Sequence, residues 1–513
     1  MATFKLDGKE LPFQPGDTII RAAWRQGIEI PHYCWHPGLS IAANCRMCLV
    51  EIKAARPMML PILAWDEKKR QYVPATKPKL QPACQIVVQA DMEVHAGSEE
   101  AKTAQASTQE FLLLNHPVDC PICDQAGECK LQDYWLTSQH TSAGAPSARQ
   151  LKRKTTEPVH KPKGVRFGET IVYDAERCIM CTRCIRFCDE VAKDHVLDMR
   201  ERGNVNEIVV SPGRQLDHAY TLMTEHVCPV GALTSRDFRF KARVWFLKSA
   251  PGVCTGCATG CNTWVDYDPR YQRVHRLRPR DNEAVNQYWM CDDGMLSYHR
   301  YQQDRVVTGR MRSEGGVEEV SRDAAVDAAA RVLGKVDDGK LGVVLSAQLS
   351  SEDNYLAALL AKDVFSTDHI YLTGAPAWKG DDILRHPDAN PNRAGALAVA
   401  SCVPADIDQL ARDIEAGEVQ AVLSLGSATE ASEAALAPLA NLAAAGAGVA
   451  THVNLTSETG PLTSTASIVI PVTCVAETSG TFVNHKGIAQ TFRKAVDAPG
   501  GILPAWHTLL EIG

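Results

Sequence analysis

Residues 111–133, FLLLNHPVDCPICDQAGECKLQD, constrain the fold more than any other stretch of the chain. They carry His116, Cys120, Cys123 and Cys129, an H-x3-C-x2-C-x5-C arrangement of four soft ligands. Three thiolates with one imidazole suit either zinc or an iron–sulfur cluster, so the motif alone leaves both open. The apolar run FLLLN closes a helix expected to begin near Ser98. Pro117, Pro121 and Gly127 forbid helix across the cysteines. The ligands therefore belong to a loop that wraps a compact inorganic core, and the remaining cysteines must decide which core it is.

There are 18 cysteines in 513 residues. Sixteen lie at or before Cys291, and only Cys402 and Cys474 follow. C-x2-C spacing in a long chain points to metal in a reducing compartment, not to the disulfides of a small secreted domain. The length exceeds one hydrophobic core and predicts three or four domains. The net charge of −7 carries no long runs of one sign and no nucleic-acid surface. No apolar stretch is long enough to predict a membrane span. Met1 leads straight into a strand pattern, so no signal or transit peptide is expected.

Residues 1–95 read as a small β-rich domain. TFKL, Asp7-Gly8 and KELPF predict a hairpin on a type I′ turn. Asp17 is expected to cap a short helix with Ile20, Ala23 and Trp24 on one face, ended by Gly27. Cys34, Cys45 and Cys48 then share a loop, and Cys84 arrives later. Plant-type ferredoxins hold a 2Fe-2S cluster in this manner, although the gaps here differ; a zinc site or reduced core cysteines are the alternatives. Residues 96–142 hold the His/Cys motif. Residues 143–166 are polar and basic, with Arg149, Lys152, Arg153, Lys154, Lys161, Lys163 and Arg166 against Glu157. They read as a solvated connector, with a docking strip as the other possibility.

The region 143–245 contains Cys178, Cys181, Cys184 and Cys188 in a C-x2-C-x2-C-x3-C run, then Cys228-Pro229. Two-cluster bacterial ferredoxins have this pattern. The second run has decayed, because its first three cysteine positions hold His218, Thr221 and Thr224. One 4Fe-4S site remains, on Cys178, Cys181, Cys184 and Cys228. Cys188 is expected as a buried free thiol, or else as a ligand with His218 in a degenerate site. Cys254, Cys257, Cys261 and Cys291 form another four-thiolate set in residues 246–310, with Trp264, Val265, Tyr267, Val274 and Leu277 alternating as a small sheet. Over 311–513, runs such as LGVVLS, HIYLTG, AVLSLG and SIVIPV alternate with helical segments capped by residues such as Ser350 and Ser351, the pattern of a parallel α/β domain. Gly446-Ala447-Gly448 lacks the third glycine and the acidic partner of a dinucleotide fingerprint, and reads as an ordinary turn.

Taken in order, these sets resemble the large iron–sulfur subunit of NADH:quinone oxidoreductases (respiratory complex I, the G or 75-kDa type). NHPVDCPICDQAGECKLQD, PHYCWHPGLSIAANCRMC and HVCPVGALT carry the resemblance over most of residues 1–300. Beyond 321 the chain is similar to a molybdopterin-oxidoreductase α/β domain, most clearly in ETSGTFVNHKGIAQ at 477–490. The resemblance implies a multidomain α+β and α/β fold: a 2Fe-2S ferredoxin-like domain, a helical His/Cys region, a bacterial-ferredoxin-like domain and a truncated molybdopterin-type domain.

The resemblance also implies one 2Fe-2S cluster on Cys34, Cys45, Cys48 and Cys84. It implies three 4Fe-4S clusters, on His116, Cys120, Cys123 and Cys129, on Cys178, Cys181, Cys184 and Cys228, and on Cys254, Cys257, Cys261 and Cys291. Cys402 and Cys474 are left as core residues of the α/β domain. Relatives of the molybdenum type carry a basic residue after the last cluster cysteine. Here Asp292, Asp293 and Gly294 follow Cys291, so molybdopterin is not expected. The function implied is an electron relay in a proton-translocating NADH dehydrogenase. Its partners would be an NADH- and flavin-binding subunit and the quinone-side iron–sulfur subunits, with no nucleic acid. The membrane would be met only through the complex, on the cytoplasmic side of the bacterial inner membrane. No catalytic residue of its own is expected, because the clusters carry the chemistry. The rivals are a subunit of a molybdenum formate dehydrogenase or NAD-linked hydrogenase, and a zinc-stapled scaffold.

Overall fold

The computed structural model describes residues 2–54, 63–66, 68–74, 80–141, 159–313, 316–400, 402–430, 432–444 and 451–513. They form two compact units, Met1–Val244 and Trp245–Gly513.

In the first unit, Thr3–Leu6 and Lys9–Pro12 pair as a hairpin. Its turn residues Asp7 and Gly8 both take positive φ (49° and 82°), as a type I′ turn requires. Strands Glu93–His95, Leu49–Ala54 and Gln81–Pro82 extend the hairpin into a five-stranded mixed sheet. Helix α1 (Ile19–Arg25) buries Ile19, Ile20, Ala22 and Ala23 in the same core, with Trp24 packed partly buried at its edge. The cap differs from expectation. Thr18 occupies the N-cap position, while the Asp17 carboxylate accepts from the Gln14 N–H (3.0 Å) and pairs with Arg25 (3.4 Å). Adjacent residues able to cap a helix cannot be ranked by sequence alone.

Helix α2 (Glu99–Leu113) starts where expected, with the Ser98 hydroxyl accepting from the Ala101 N–H at 3.3 Å. Helix α3 (Lys130–Thr141) begins one residue after Cys129. Between them lies loop, with a single 3₁₀ turn at Cys120–Ile122. Of the basic segment at 143–166, residues 143–158 lie outside the described residues. Its end is no free connector: Lys163 Nζ reaches Asp119 (2.9 Å), Asp174 (3.0 Å) and Glu176 (3.0 Å). Strands Val165–Phe167, Ile171–Tyr173 and Leu233–Ser235 then form an antiparallel sheet. Helices α4 (Arg183–Phe187) and α5 (Met223–Val227) carry cysteine ligand candidates at their ends.

The second unit opens with a three-stranded meander, Lys248–Val253, Asn262–Asp268 and Arg273–Pro279. Val265, Val274 and Leu277 are buried as expected, although Val274 and Leu277 share a face only because the strand pairing shifts register between them. A seven-stranded sheet follows. Its parallel centre is Ile468–Pro471, Thr451–Thr456, Ala421–Leu425, Leu341–Ser346 and Ile370–Thr373, flanked by the antiparallel hairpin of Gly309–Ser313 and Gly316–Val320. The central strands are buried along their whole length, which is why Leu341–Ser346 and Ala421–Leu425 read as nearly continuous apolar runs; Thr451–Thr456 instead buries the polar His452 and Asn454. Ser350 and Asp353 form a reciprocal capping box at the next helix, Ser351–Asp363. Gly446-Ala447-Gly448 lies outside the described residues. Among the described residues, no helix is long and apolar enough to cross a membrane.

Candidate iron–sulfur centres

Cys34, Cys48 and Cys84 are each no more than 2 % exposed, and Cys45 is half-buried. The four sort into two hydrogen-bonded pairs, Cys34 with Cys45 and Cys48 with Cys84. In each pair the shared proton pushes one thiol up and its partner down. Cys45 is lowered to about 5, chiefly by the bond from Cys34, with help from the Met47 amide. Ala43 and Arg46 adopt left-handed φ (52° and 57°) and turn the loop between the two pairs. Cys48 and Cys84 belong to the same apolar core as α1.

In the His116 set, burial raises Cys129 to about 11, reinforced by Cys123 and Cys120. The Cys129 sulfur faces the amides of Leu131 and Gln132, at the start of α3. The Cys123 thiol is raised by burial and faces the Gln125 amide. Cys120 is exposed. Burial lowers His116 to about 4, with the Arg177 guanidinium as the next cause, so the imidazole is neutral and able to donate a lone pair. Its Nδ1 is buried without a hydrogen-bond partner, an orphan that a metal bond would satisfy. Arg177 also acts on Cys123, and pairs with Asp119 (3.1 Å) and Asp174 (3.3 Å). Arg243 donates to the carbonyls of Cys123 (2.7 Å) and Pro121, pinning the loop.

Cys178, Cys181, Cys184 and Cys228 line one pocket together with Tyr173, Ile179, Ile208, Val230 and Leu233. Burial is the main cause of their raised pKa values, to about 11 for Cys178 and Cys181 and about 12 for Cys228; mutual repulsion among the thiols adds to it. Amide N–H groups point at the sulfurs: Met180 at Cys178 (3.4 Å), Arg183 at Cys181, and Ala232 and Leu233 at Cys228, whose own thiol donates to the Val230 carbonyl (3.0 Å). Met180 and Thr182 take left-handed φ (53° and 62°) to make this turn. Cys188 points elsewhere. It is fully buried, and its Sγ lies 3.6 Å from His218 Nε2. The hydroxyls standing for the other lost cysteines bond locally, Thr224 to the Thr221 carbonyl (2.7 Å) and Thr221 to Thr170 (2.5 Å). The vacated cluster position is thus filled by a thiol–imidazole contact and two satisfied threonines.

Cys254, Cys257, Cys261 and Cys291 are each no more than 5 % exposed. Burial raises Cys254 to about 12 and drives Cys261 and Cys291 upward as well; other thiols of the set repel each of them. Gly256 donates to Cys254 Sγ and Gly294 to Cys291 Sγ, both at 3.4 Å. A Cβ on Gly294 would stand 3.1 Å from Cys254 Sγ, so glycine keeps room beside two sulfurs. Asp293 pairs with Arg385 (3.0 Å). The loop is held by the hairpin Gly480–Val483 and Ala489–Phe492. Asn484 donates to the Thr259 carbonyl (3.2 Å), the His485 N–H to that of Ala258 (2.9 Å), and Gln490 to that of Gly260 (2.9 Å). The stretch at 477–490 was legible as a family mark, but its clamping role was not. Arg177 and Arg243 carried no sequence signal at all, and nothing in HVCPVGALT tied its Gly231 to Cys123. Soft donors without a carboxylate among them, most of them buried or half-buried and many with amides aimed at sulfur, suit an iron–sulfur core; Cys120 is the exposed member of its set.

Three family profiles match consecutive parts of the chain. These are a 2Fe-2S iron–sulfur cluster binding domain over 1–99, an NADH-ubiquinone oxidoreductase-G iron–sulfur binding region over 105–142, and an NADH-quinone oxidoreductase subunit 3 ferredoxin-like domain over 168–234. The G subunit of NADH-quinone oxidoreductase from Streptomyces coelicolor is 35 % identical over 375 residues, 72 % of this chain and 40 % of the relative. The chain belongs to the G-subunit family of NADH-quinone oxidoreductases. The corresponding G subunit of Mycobacterium tuberculosis is 33 % identical over 383 residues (73 % and 43 %), and subunit 3 of Thermus thermophilus 33 % over 383 residues (74 % and 48 %). The chain therefore spans about half the length or less of the curated relatives it matches. Among solved structures, an NAD+-reducing [NiFe]-hydrogenase aligns over 47 % of this chain and 91 % of its own, with a TM-score of 0.36 and 26 % identity.

Proposed function

We propose that this chain is an iron–sulfur relay subunit of an NADH:quinone oxidoreductase. It would hold one 2Fe-2S cluster on Cys34, Cys45, Cys48 and Cys84. Three 4Fe-4S clusters would sit on His116, Cys120, Cys123 and Cys129, on Cys178, Cys181, Cys184 and Cys228, and on Cys254, Cys257, Cys261 and Cys291. Bound there, the clusters supply one-electron carriers between an NADH- and flavin-binding partner and a quinone-reducing partner. The chain's own residues exclude water through Tyr173, Ile208 and Leu233, aim amides at sulfur, and fix each loop with arginine or amide side chains. The observation that carries the reading is the pocket lined by Cys178, Cys181, Cys184 and Cys228. The chain would stand as a peripheral member of a membrane complex on the cytoplasmic face, and molybdopterin forms no part of it.

The test is anaerobic preparation of the full chain, with iron, zinc and molybdenum counts and low-temperature EPR of the reduced protein. One two-iron and three four-iron signals, without molybdenum, are expected. A colourless protein holding zinc alone would overturn the reading.

A further inference from the structure

Arg183 and Arg186 lie three residues apart on α4, between the Cys34 loop and the Cys178–Cys184 loop. A single nitrogen of Arg186, Nη2, donates both to the carbonyl of Cys34 (2.6 Å) and to that of Cys181 (3.2 Å). Its Nη1 donates to the Ser40 carbonyl, and its Nε to Thr182 Oγ1 (3.2 Å). Arg183 is buried, with 8 % exposure. It donates to the carbonyl of Trp35, next to Cys34, and to that of Val227, next to Cys228 (3.2 Å). Two further bonds run between the same loops: Asn44 Nδ2 to the Met180 carbonyl (3.3 Å), and the Ser40 N–H to Glu190 (2.8 Å). Neither arginine forms a carboxylate ion pair among the described contacts: Arg186 spends its donors on backbone oxygen and a hydroxyl, and Arg183 directs both terminal nitrogens to backbone oxygen while its Nε is buried without a partner.

We infer that Arg186, seconded by Arg183, is a positioning residue shared by two iron–sulfur centres: it locks the two ligand loops together and serves both as one fixed cation. The inference rests on the relay reading above. A guanidinium keeps its charge under all ordinary conditions, and a carbonyl dipole neutralises it only in part. A positive charge in a site of low dielectric favours the reduced form of any redox group nearby. Because one nitrogen touches a ligand residue of each set, its influence falls on both. The bridge also joins Cys34 to Cys181 by two hydrogen bonds through one side chain, and so fixes the separation of the two centres. A lysine could supply the charge but not this fork of donors.

The experiment compares the wild-type full chain with Arg186→Met, Arg186→Gln and Arg186→Lys. Iron content and EPR-monitored redox titrations of the two-iron signal and of the Cys178–Cys228 four-iron signal are read in each. The uncharged variants are expected to lower both midpoint potentials together at unchanged iron content, and Arg186→Lys to restore most of that shift. Should Arg186→Met lose iron, Arg186→Gln, which keeps a donor amide, carries the same expectation. Potentials unchanged in both uncharged variants, or a shift confined to one centre, would overturn the inference. Absence of either signal from the wild-type chain would instead sink the relay reading.

Discussion

Replacing Gly231 by alanine tests how tightly the His116 set is built. A Cβ at this position would lie 2.2 Å from Cys123 Sγ and 3.0 Å from Gln125 Cβ. Ordinary contact begins at 3.4 Å, so sulfur or backbone must yield by the difference, about 1.2 Å. Neither gives way easily. The Pro229 carbonyl is tied to the Lys130 N–H (3.0 Å), and the Cys123 carbonyl to Arg243 (2.7 Å). Metal–ligand distances tolerate only about 0.2 Å, roughly one sixth of that displacement. Overpacking of this kind also costs about 1–3 kcal/mol of stability. Gly231→Ala, reconstituted beside wild type, is therefore expected to lose about four irons per chain and the EPR signal of the His116 set. The Cys254 set, in the other unit, is expected to keep its signal. A variant with full iron and an unchanged spectrum would refute the reasoning, because it would mean that Cys123 is free to move.

His116→Cys replaces a neutral ligand by a thiolate, so its centre should assemble with a lower potential, whereas His116→Ala should labilise it; an unchanged potential in an assembled His116→Cys protein, read by redox titration, would exclude the imidazole as ligand. Cys188→Ala should leave every cluster signal intact and cost about 1 kcal/mol for the lost contact with His218, and disappearance of the Cys178–Cys228 signal would count against the ligand assignment. Gln490→Ala should release iron from the Cys254 set alone, with about 1–3 kcal/mol lost from leaving the Gly260 carbonyl unpaired; iron analysis after brief chelator exposure checks this. Asp266 is held below its ordinary value of 3.8: burial opposes the charge, but Arg278 and Arg276 more than offset it. A depressed carboxyl stabilises fully above the unfolded value and loses that contribution as pH falls through the folded one. The second unit should thus weaken only below about pH 4, and less steeply in Asp266→Asn, as pH-dependent thermal melts would register.

The short C-x2-C and H-x3-C clusters were legible as candidates because soft-donor identity and short spacing are local properties, whereas Cys84, Cys228 and Cys291 stand 30 to 44 positions from the cysteine that precedes each in its proposed set. The hairpin on Asp7-Gly8 and the Ser98 cap were legible for the same reason: each is decided within a few residues. What holds the sets in place was not. Arg243 reaches Cys123 across 120 positions, and Asn484 reaches Thr259 across 225; no periodicity links such residues. Cys188 falls between these cases. Its broken spacing pointed to a buried free thiol, but only the packing of its π-helical turn, Cys188–Ala192, brings it to His218. Lys163 is exposed, as a basic run predicts, but its carboxylate partners, 11 to 44 positions away, were not legible.

The clamp on the Cys257–Cys261 loop sets a timetable for biosynthesis. Thr259 leaves the ribosome 225 residues before the Asn484 that will secure it. At about 5–20 residues per second, that is a wait of roughly 10–45 s. During it the amino-terminal sets already have all their partners, while the fourth has its thiols on an untethered loop. Iron delivery should therefore proceed from the amino terminus onward, with the last site filled only once the hairpin that carries Asn484 and Gln490 has emerged and folded. Pulse-labelled iron appearing first on nascent chains at the Cys254 set would contradict that order.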